Sequence, residues 1–345
     1  MMAFRLVQLA VNIWTISIMV IALNAFTYWL YRRDKYERAQ IFFAIACGGI
    51  GAFLGAKNRR KPLVVIGLVI ALIPMIHIAH SLTLDRIIRY TEITFSSENW
   101  PSELDGYRIA FMADKHTIAD EAMRRVIREL NGLDIDLLLL GGDFSMGGGT
   151  HFQGTLREIA QTNAPDGIFG VEGNHDRYYQ LFAEKMKHGI IPLDNSGEHI
   201  HEGFFVAGVH DLWRRKPCIE TAVAGSVQGD FVLVISHNPD VAMLQPTAGV
   251  DLILSGHTHG GQITFFGFPV YLLRNHITRF GTRFTRGFAE SADGVPVFVS
   301  TGVGVYYNVP RVFARPEVVI FTMYTVTKTP LTHSIYQQSI SSCWR

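Results

Sequence analysis

The chain has 345 residues, enough for one large domain or two smaller ones, and its 31 Lys and Arg against 30 Asp and Glu leave a formal net charge of +1. That balance excludes the overall electrostatic attraction a nucleic-acid-binding domain needs, so no nucleic acid is expected as a partner. The chain is 48% hydrophobic, and the apolar excess sits in residues 1–85, which divides the chain into a membrane part and a soluble part, while Cys47, Cys218 and Cys343 are too scattered for a disulfide framework or a zinc knuckle.

The first apolar segment runs from Leu9 to Leu30 and is broken only by uncharged polar residues such as Asn12, Thr15 and Asn24. About 20 such residues cross a bilayer as a helix. The charged stretch Arg32–Arg38 ends it, because each basic residue mid-membrane costs about 2.5–3.5 kcal/mol. A second segment, Ile41–Ala56, contains Gly48, Gly49, Gly51 and Ala52, small residues that allow close helix packing. It is barely long enough to span, and a re-entrant path is the alternative. Lys57, Arg59, Arg60 and Lys61 separate it from a third segment, Leu63–Leu82. Residues 1–85 thus read as an anchor of about three transmembrane helices, and residues 86–106 as a linker. Both loops are basic and fall on opposite faces, so loop charge does not assign the side that holds the rest of the chain.

Beyond Pro101 the pattern becomes alternating strand and helix. Strand-like runs are Tyr107–Asp114, Ile135–Asp143 and Gly167–Asn174, with helix-like Glu121–Leu130, Leu156–Thr162 and Tyr178–His188 between and after them. Later strands are predicted at Phe204–His210, Phe231–His237, Val250–Gly256, Val295–Gly302 and Glu317–Tyr324. Several lack an intervening helix, so a more antiparallel second sheet is expected, with two packed sheets and helices outside. The polar tail 325–345 is expected to be poorly ordered.

Polar residues cluster where the strands end. Asp114 and His116 follow the first run, Asp143 the second, and Asn174, His175 and Asp176 the third; His237, His257 and His259 follow later ones. Ligands bind at the carboxyl ends of strands in open α/β sheets, so these groups are expected to converge. Oxygen and imidazole donors without thiolates suit Mn, Fe, Zn or similar ions. In extended backbone the pairs Asp114/His116 and His257/His259 would each share a face. Seven ligand-type residues exceed one ion's needs and point to two divalent metal ions.

The ordered series Asp-x-His, Gly-Asp, Gly-Asn-His-Asp, lone His and Gly-His-x-His resembles the calcineurin-like metallophosphoesterase superfamily across residues 107–323. The box Gly256–Gln262 and the late Arg315-Pro316-Glu317 are similar to its bacterial membrane-associated branch. The resemblance implies a four-layer α/β/β/α sandwich over residues 107–324, preceded by the anchor in the plasma (inner) membrane. It implies that Asp114, His116 and His259 hold one metal, that Asn174, His237 and His257 hold the other, and that Asp143 bridges them. It also implies that His175 faces the phosphoryl group with Asp176 orienting its ring. The activity implied is hydrolysis of a phosphoester or pyrophosphate by metal-activated hydroxide.

Anchoring favours a lipid-linked phosphorylated substrate, with membrane lipids as surroundings. A soluble-nucleotide phosphodiesterase and a non-catalytic metal-binding scaffold are the competing expectations, and the intact His175-Asp176 pair speaks against the scaffold. Phe265–Arg286 mixes aromatic and basic residues, making Arg279 and Arg283 candidates for substrate binding. His210 and Asp211 either line the pocket or cap a loop. Glu172 adds a carboxylate next to Gly173-Asn174 that would repel an anionic substrate or meet a sugar or a cation.

Overall fold

In a computed structural model of the chain the described residues are 83–116, 120–145, 151–176, 185–269, 277–304 and 311–326, with scattered positions between 50 and 80. The predicted first two membrane segments, most of the third, most of the 178–188 helix and the tail beyond 326 lie outside them. Among the described residues no helix is long and apolar enough to cross a membrane. The chain divides into two units, Met1–Arg86 with Asn308–Phe313, and Ile87–Tyr307 with Ala314–Arg345.

In the first unit, positions 62, 64, 65, 68, 72, 76, 79 and 80 are helical, and Val65, Leu68, Leu72 and Ile76 are exposed at helical spacing. Asp85 is buried, and its Oδ2 lies 2.8 Å from His80 Nδ1 and accepts the Phe313 N–H at 2.9 Å.

The second unit holds two six-stranded sheets. The first has the order β1 (Arg89–Ser97), β14 (Glu317–Thr325), β2 (Arg108–Met112), β3 (Leu137–Leu140), β4 (Ile168–Gly170), β5 (Ile190–Pro192). Strands β2 to β5 run parallel, and β14 enters antiparallel to β2. The second sheet has the order β12 (Gly287–Glu290), β13 (Pro296–Val299), β9 (Leu252–Ser255), β8 (Phe231–Ile235), β7 (Phe204–Gly208), β6 (Ser196–His201).

The period-two pattern of the strands builds the layers. Leu137 and Leu139 join Phe231, Leu233 and Phe298 in a core between the sheets. Leu138 and Leu140 face the other way, onto Met123, Val126, Ile127 and Leu130 of α1 (Asp120–Leu130) and Leu156 and Ile159 of α2 (His151–Ile159). Val232 and Val234 pack outward on α3 (Ile219–Ala222) and α4 (Val241–Leu244). Each such fully buried side chain contributes about 1.5–3 kcal/mol of transfer free energy. The layers are therefore helix, sheet, sheet, helix.

Two expectations are corrected. The second sheet is parallel through β7, β8, β9 and β13, with antiparallel partners only at β6 and β12. The crossovers from β7 to β8 and from β8 to β9 carry helices of four residues each, too short to show a helical period. The stretch 86–106 contains β1, a nine-residue strand paired in parallel along its whole length with β14. Only Phe95 of β1 is fully buried, so its sequence shows little apolar alternation.

Candidate metal centre

Strands from both sheets release their chemistry at their carboxyl ends. From the first sheet, β2 leads to Asp114 and His116, β3 to Asp143, and β4 to Asn174, His175 and Asp176. From the second, β8 leads to His237 and β9 to His257 and His259. All seven ligand-type residues are buried, and two overlapping sets of donor atoms result.

In one set, His116 Nε2 and His259 Nε2 lie 2.9 Å apart. Asp114 Oδ1 is 3.4 Å from His259 Nε2 and 3.9 Å from His116 Nε2, while Asp143 Oδ2 is 3.4 Å from His116 Nε2. In the other, Asn174 Oδ1 lies 3.1 Å from His237 Nε2 and 2.9 Å from His257 Nδ1. Asp143 Oδ2 is 3.2 Å from His237 Nε2. One oxygen, Asp143 Oδ2, belongs to both sets. Asp114, His116 and His259 meet the spacing needed to hold an ion, as do Asp114, Asp143 and His237. The donor chemistry, imidazole and carboxylate without sulfur, fits divalent cations of the Mn, Fe and Zn type.

The backbone reaches this arrangement through turns. Asp114 (φ 55°), His116 (φ 41°), Asp143 (φ 58°), His257 (φ 71°) and His259 (φ 53°) all adopt left-handed conformations. Such strain in non-glycine residues is held only where surrounding structure enforces it. The same-face argument for the Asp-x-His and His-x-His pairs is thereby corrected, since neither segment is extended. Close approach explains two motif glycines. A Cβ on Gly173 would lie 2.2 Å from Asp143 Oδ1, and one on Gly256 would lie 2.6 Å from Asp114 Oδ2.

Protonation follows burial and charge. Burial pushes His116 down to about 4 and His257 to about 3, leaving both as the neutral imidazoles that bind metals. Burial alone would raise Asp143, but the charge and hydrogen bond of His237 hold it well below the carboxylate range. Burial would lower His237, but Asp143 raises it well above 6.5. Below its pKa the His237 ring carries the proton that a cation must displace. Metal binding at pH 7 is therefore expected to release a proton and to weaken as pH falls. Calorimetric titration in buffers of different ionisation enthalpy measures this, and a heat independent of buffer would contradict it.

Supporting contacts fix the ligands. His237 Nδ1 is 2.8 Å from the Gly141 carbonyl, and His257 Nε2 is 3.0 Å from that of Ile277, the kind of outer partner that orients ligating imidazoles. Glu317, buried in the Arg-Pro-Glu segment, accepts the Thr301 N–H at 2.9 Å and is paired with Arg89 at 2.5 Å. It thus steadies the turn at Gly302, whose Cβ would press within 2.6 Å of Asp114 Cβ.

Asp176 is placed differently from expectation. Its Oδ2 accepts the Asp143 and Gly173 N–H groups at 2.8 and 2.9 Å, and its Oδ1 accepts that of Ser145 at 3.0 Å. It ties the β3 and β4 loops together and does not orient the His175 ring. His175 is half-buried, with its ring 5.3 Å from that of His116 and its N–H donated to Asp143 Oδ1 at 2.8 Å.

Of the two arginines predicted to bind substrate, Arg283 is engaged elsewhere through its side chain, and for Arg279 the bond shown is a backbone one. Arg283 donates to the Glu290 carbonyl at 3.1 Å, and Arg279 uses its backbone N–H on Asp240. Burial pushes Glu172 up to about 8 despite nearby Lys185, so at neutral pH it is mostly uncharged and does not repel an anion.

Of the loop His210–Lys216 that follows β7, the sequence points to His210 and Asp211 and not to Trp213 or Arg214; Asp211 caps the loop, its Oδ1 accepting the Trp213 N–H at 2.9 Å. The ring of Trp213 stands edge-on to His257 with centroids 4.5 Å apart, and Arg214 Nε donates to the Asn174 carbonyl. Two adjacent arginines at a strand exit, Arg214-Arg215, were the available signal.

Residues 107–261 match the family model described as calcineurin-like phosphoesterase. The chain is 28% identical over 253 residues to an uncharacterized metallophosphoesterase, YkuE, of Bacillus subtilis, covering 69% of this chain and 86% of that one. It is 26% identical over 254 residues to a transmembrane protein with metallophosphoesterase domain from Danio rerio, covering 67% of this chain and 56% of that protein. A purple acid phosphatase from yellow lupin aligns at a TM-score of 0.35 and 13% identity over 66% of this chain and 57% of its own, a likeness that carries no argument. Residues 107–261 thus form a calcineurin-like metallophosphoesterase domain, the kind of domain that both of these relatives are named for. It is accordingly a metal-dependent phosphoesterase whose His and Asp donors suit a dinuclear centre of divalent ions.

Proposed function

We propose that the protein is a membrane-anchored phosphoesterase that hydrolyses a phosphoester or pyrophosphate of a lipid-linked substrate. The carrying observation is Asp143 Oδ2 shared by two donor sets. In this reading Asp114, His116 and His259 hold one cation, Asn174, His237 and His257 hold the other, and Asp143 holds both. A bound pair of cations supplies Lewis acidity and lowers the pKa of a coordinated water toward about 7. His175 gives its ring proton to the leaving oxygen. Burial draws its pKa down against the opposing charge of Asp143, so fewer rings carry the proton at neutral pH while each protonated ring is a stronger acid. The bond from its backbone N–H to Asp143 Oδ1 holds the main chain at His175 beside the bridging carboxylate.

Support for the anchor comes from the exposed stripe Val65, Leu68, Leu72 and Ile76 and from relatives named as transmembrane proteins. Support for an amphiphilic substrate comes from the hairpin of β10 (Thr264–Phe265) and β11 (Phe268–Pro269), which follows His259 and leaves Phe266 and Phe268 exposed.

Detergent-purified full-length protein, chelated and then given Mn, Fe, Zn or Mg singly, is expected to recover hydrolysis of bis-p-nitrophenyl phosphate and p-nitrophenyl phosphate. His175→Ala is expected to lower kcat by about 10²-fold or more at unchanged metal content. Folded, metal-loaded wild type that cleaves neither compound would overturn the reading. Phosphorylated lipids in mixed micelles are expected to turn over faster than short-chain soluble analogues, with the Phe266→Ser, Phe268→Ser double variant abolishing that advantage. Equal rates would assign the enzyme to soluble substrates instead.

A further inference from the structure

The loop His210–Lys216 is built as a fixed presenting element. Asn195 closes its base: the side-chain carbonyl accepts the His210 and Cys218 N–H groups at 3.1 and 3.0 Å, and the amide donates to the Lys216 carbonyl at 3.0 Å. Asp211, buried inside, accepts the Trp213 N–H at 2.9 Å, and its backbone carbonyl accepts those of Arg214 and Arg215. A loop pinned at base and centre holds its tip without further loss of entropy on binding.

The two arginines at that tip are engaged differently. Arg215 is paired with Asp194, its Nη1 lying 3.2 Å from Oδ1 and 3.3 Å from Oδ2. Arg214 is exposed, and among the described residues its guanidinium meets only the carbonyl of Asn174, through Nε. Its two terminal nitrogens therefore keep their hydrogens for another acceptor. An exposed guanidinium held against a ligand-type residue is solvated at rest, and its terminal N–H groups are placed to exchange that water for an anion bound at the same site. The fork geometry of arginine matches phosphoryl oxygens.

A phosphodiester has two unesterified oxygens, and a pair of cations clamps the reacting phosphoryl group. A terminal phosphate monoester or a pyrophosphate brings further charged oxygen. We propose that Arg214 binds that additional oxygen and gives the site its preference for a phosphomonoester or pyrophosphate over a singly charged diester. This rests on the two-metal reading above and narrows its substrate class.

The test compares p-nitrophenyl phosphate with bis-p-nitrophenyl phosphate on metal-loaded full-length protein, with inorganic phosphate and pyrophosphate as competitive inhibitors. Arg214→Gln is expected to raise KM for the monoester and Ki for both inhibitors by about 10- to 100-fold, the loss of one charge-assisted bond. KM for the diester is expected to change by less than about threefold, with metal content unaltered. Arg214→Lys restores part of the effect, because it keeps the charge and loses the fork. Arg215→Gln, the same charge change one residue away, leaves both KM values in place. Equal shifts for monoester and diester, or no shift in either, overturn the assignment of Arg214. Wild type inactive on both compounds would instead remove the two-metal reading beneath it.

Discussion

Asp143→Asn is expected to lower kcat at least about 10³-fold toward any phosphoester, the largest single effect in the molecule. The substitution is nearly isosteric, so the fold survives it. The amide oxygen keeps the place of Oδ1 and still accepts the His175 N–H. The amide nitrogen then occupies the place of Oδ2, 3.2 Å from His237 Nε2 and 3.4 Å from His116 Nε2. A donor group there has no lone pair for a cation, and the bridge between the two donor sets is gone. The negative charge that offsets two cations is lost as well, so metal content is expected to fall from two ions per chain. Metal analysis of the purified variant and its turnover of p-nitrophenyl phosphate read both consequences. Full turnover by Asp143→Asn protein would refute a shared carboxylate as the organising element.

The ligand set was legible because each donor follows an apolar run whose burial makes it a strand, and strand ends gather ligands. Leu137–Leu140 shows the pattern plainly, and Asp143 follows it within three residues. What the sequence could not show was how the backbone turns afterwards. Asp114 and His257 sit at positive φ where the His257 N–H donates to the Asp114 carboxylate, a contact between segments more than a hundred residues apart. Strand β1 was missed because an edge strand beside β14 needs few apolar residues. The parallel run of β7, β8, β9 and β13 was missed because its helices are single turns. Arg279 and Arg283 stand out in the sequence because a run of Phe and Arg is conspicuous in composition, whereas the Arg214-Arg215 pair alone is not. Only tertiary contacts show that Arg283 is bound to a β12 carbonyl while Arg214 reaches Asn174.

The second large effect separates Asp176 from His175, neighbours that the motif treats as a pair. Asp176→Ala leaves the N–H groups of Asp143, Gly173 and Ser145 without their acceptor, all in buried backbone. Each unsatisfied group costs about 1–3 kcal/mol, so a loss of about 3–9 kcal/mol in folding stability is expected before any offset, with both metals weakened. Part is offset, because burial already pushes the Asp176 carboxyl up to about 6 and its removal relieves that. Asp176→Asn retains one oxygen, able to serve the Asp143 and Gly173 amides together, and turns a donor toward Ser145. Its stability is expected to lie between wild type and Asp176→Ala. The decisive readout is the pH dependence of kcat in whatever fraction of Asp176→Asn loads two metals. A loop tie predicts the wild-type profile with reduced loading and a lower unfolding midpoint. A carboxylate orienting the His175 ring predicts full loading and a displaced limb in the profile. The bonds of Asp176 run to three backbone amides, so the first outcome is the expected one.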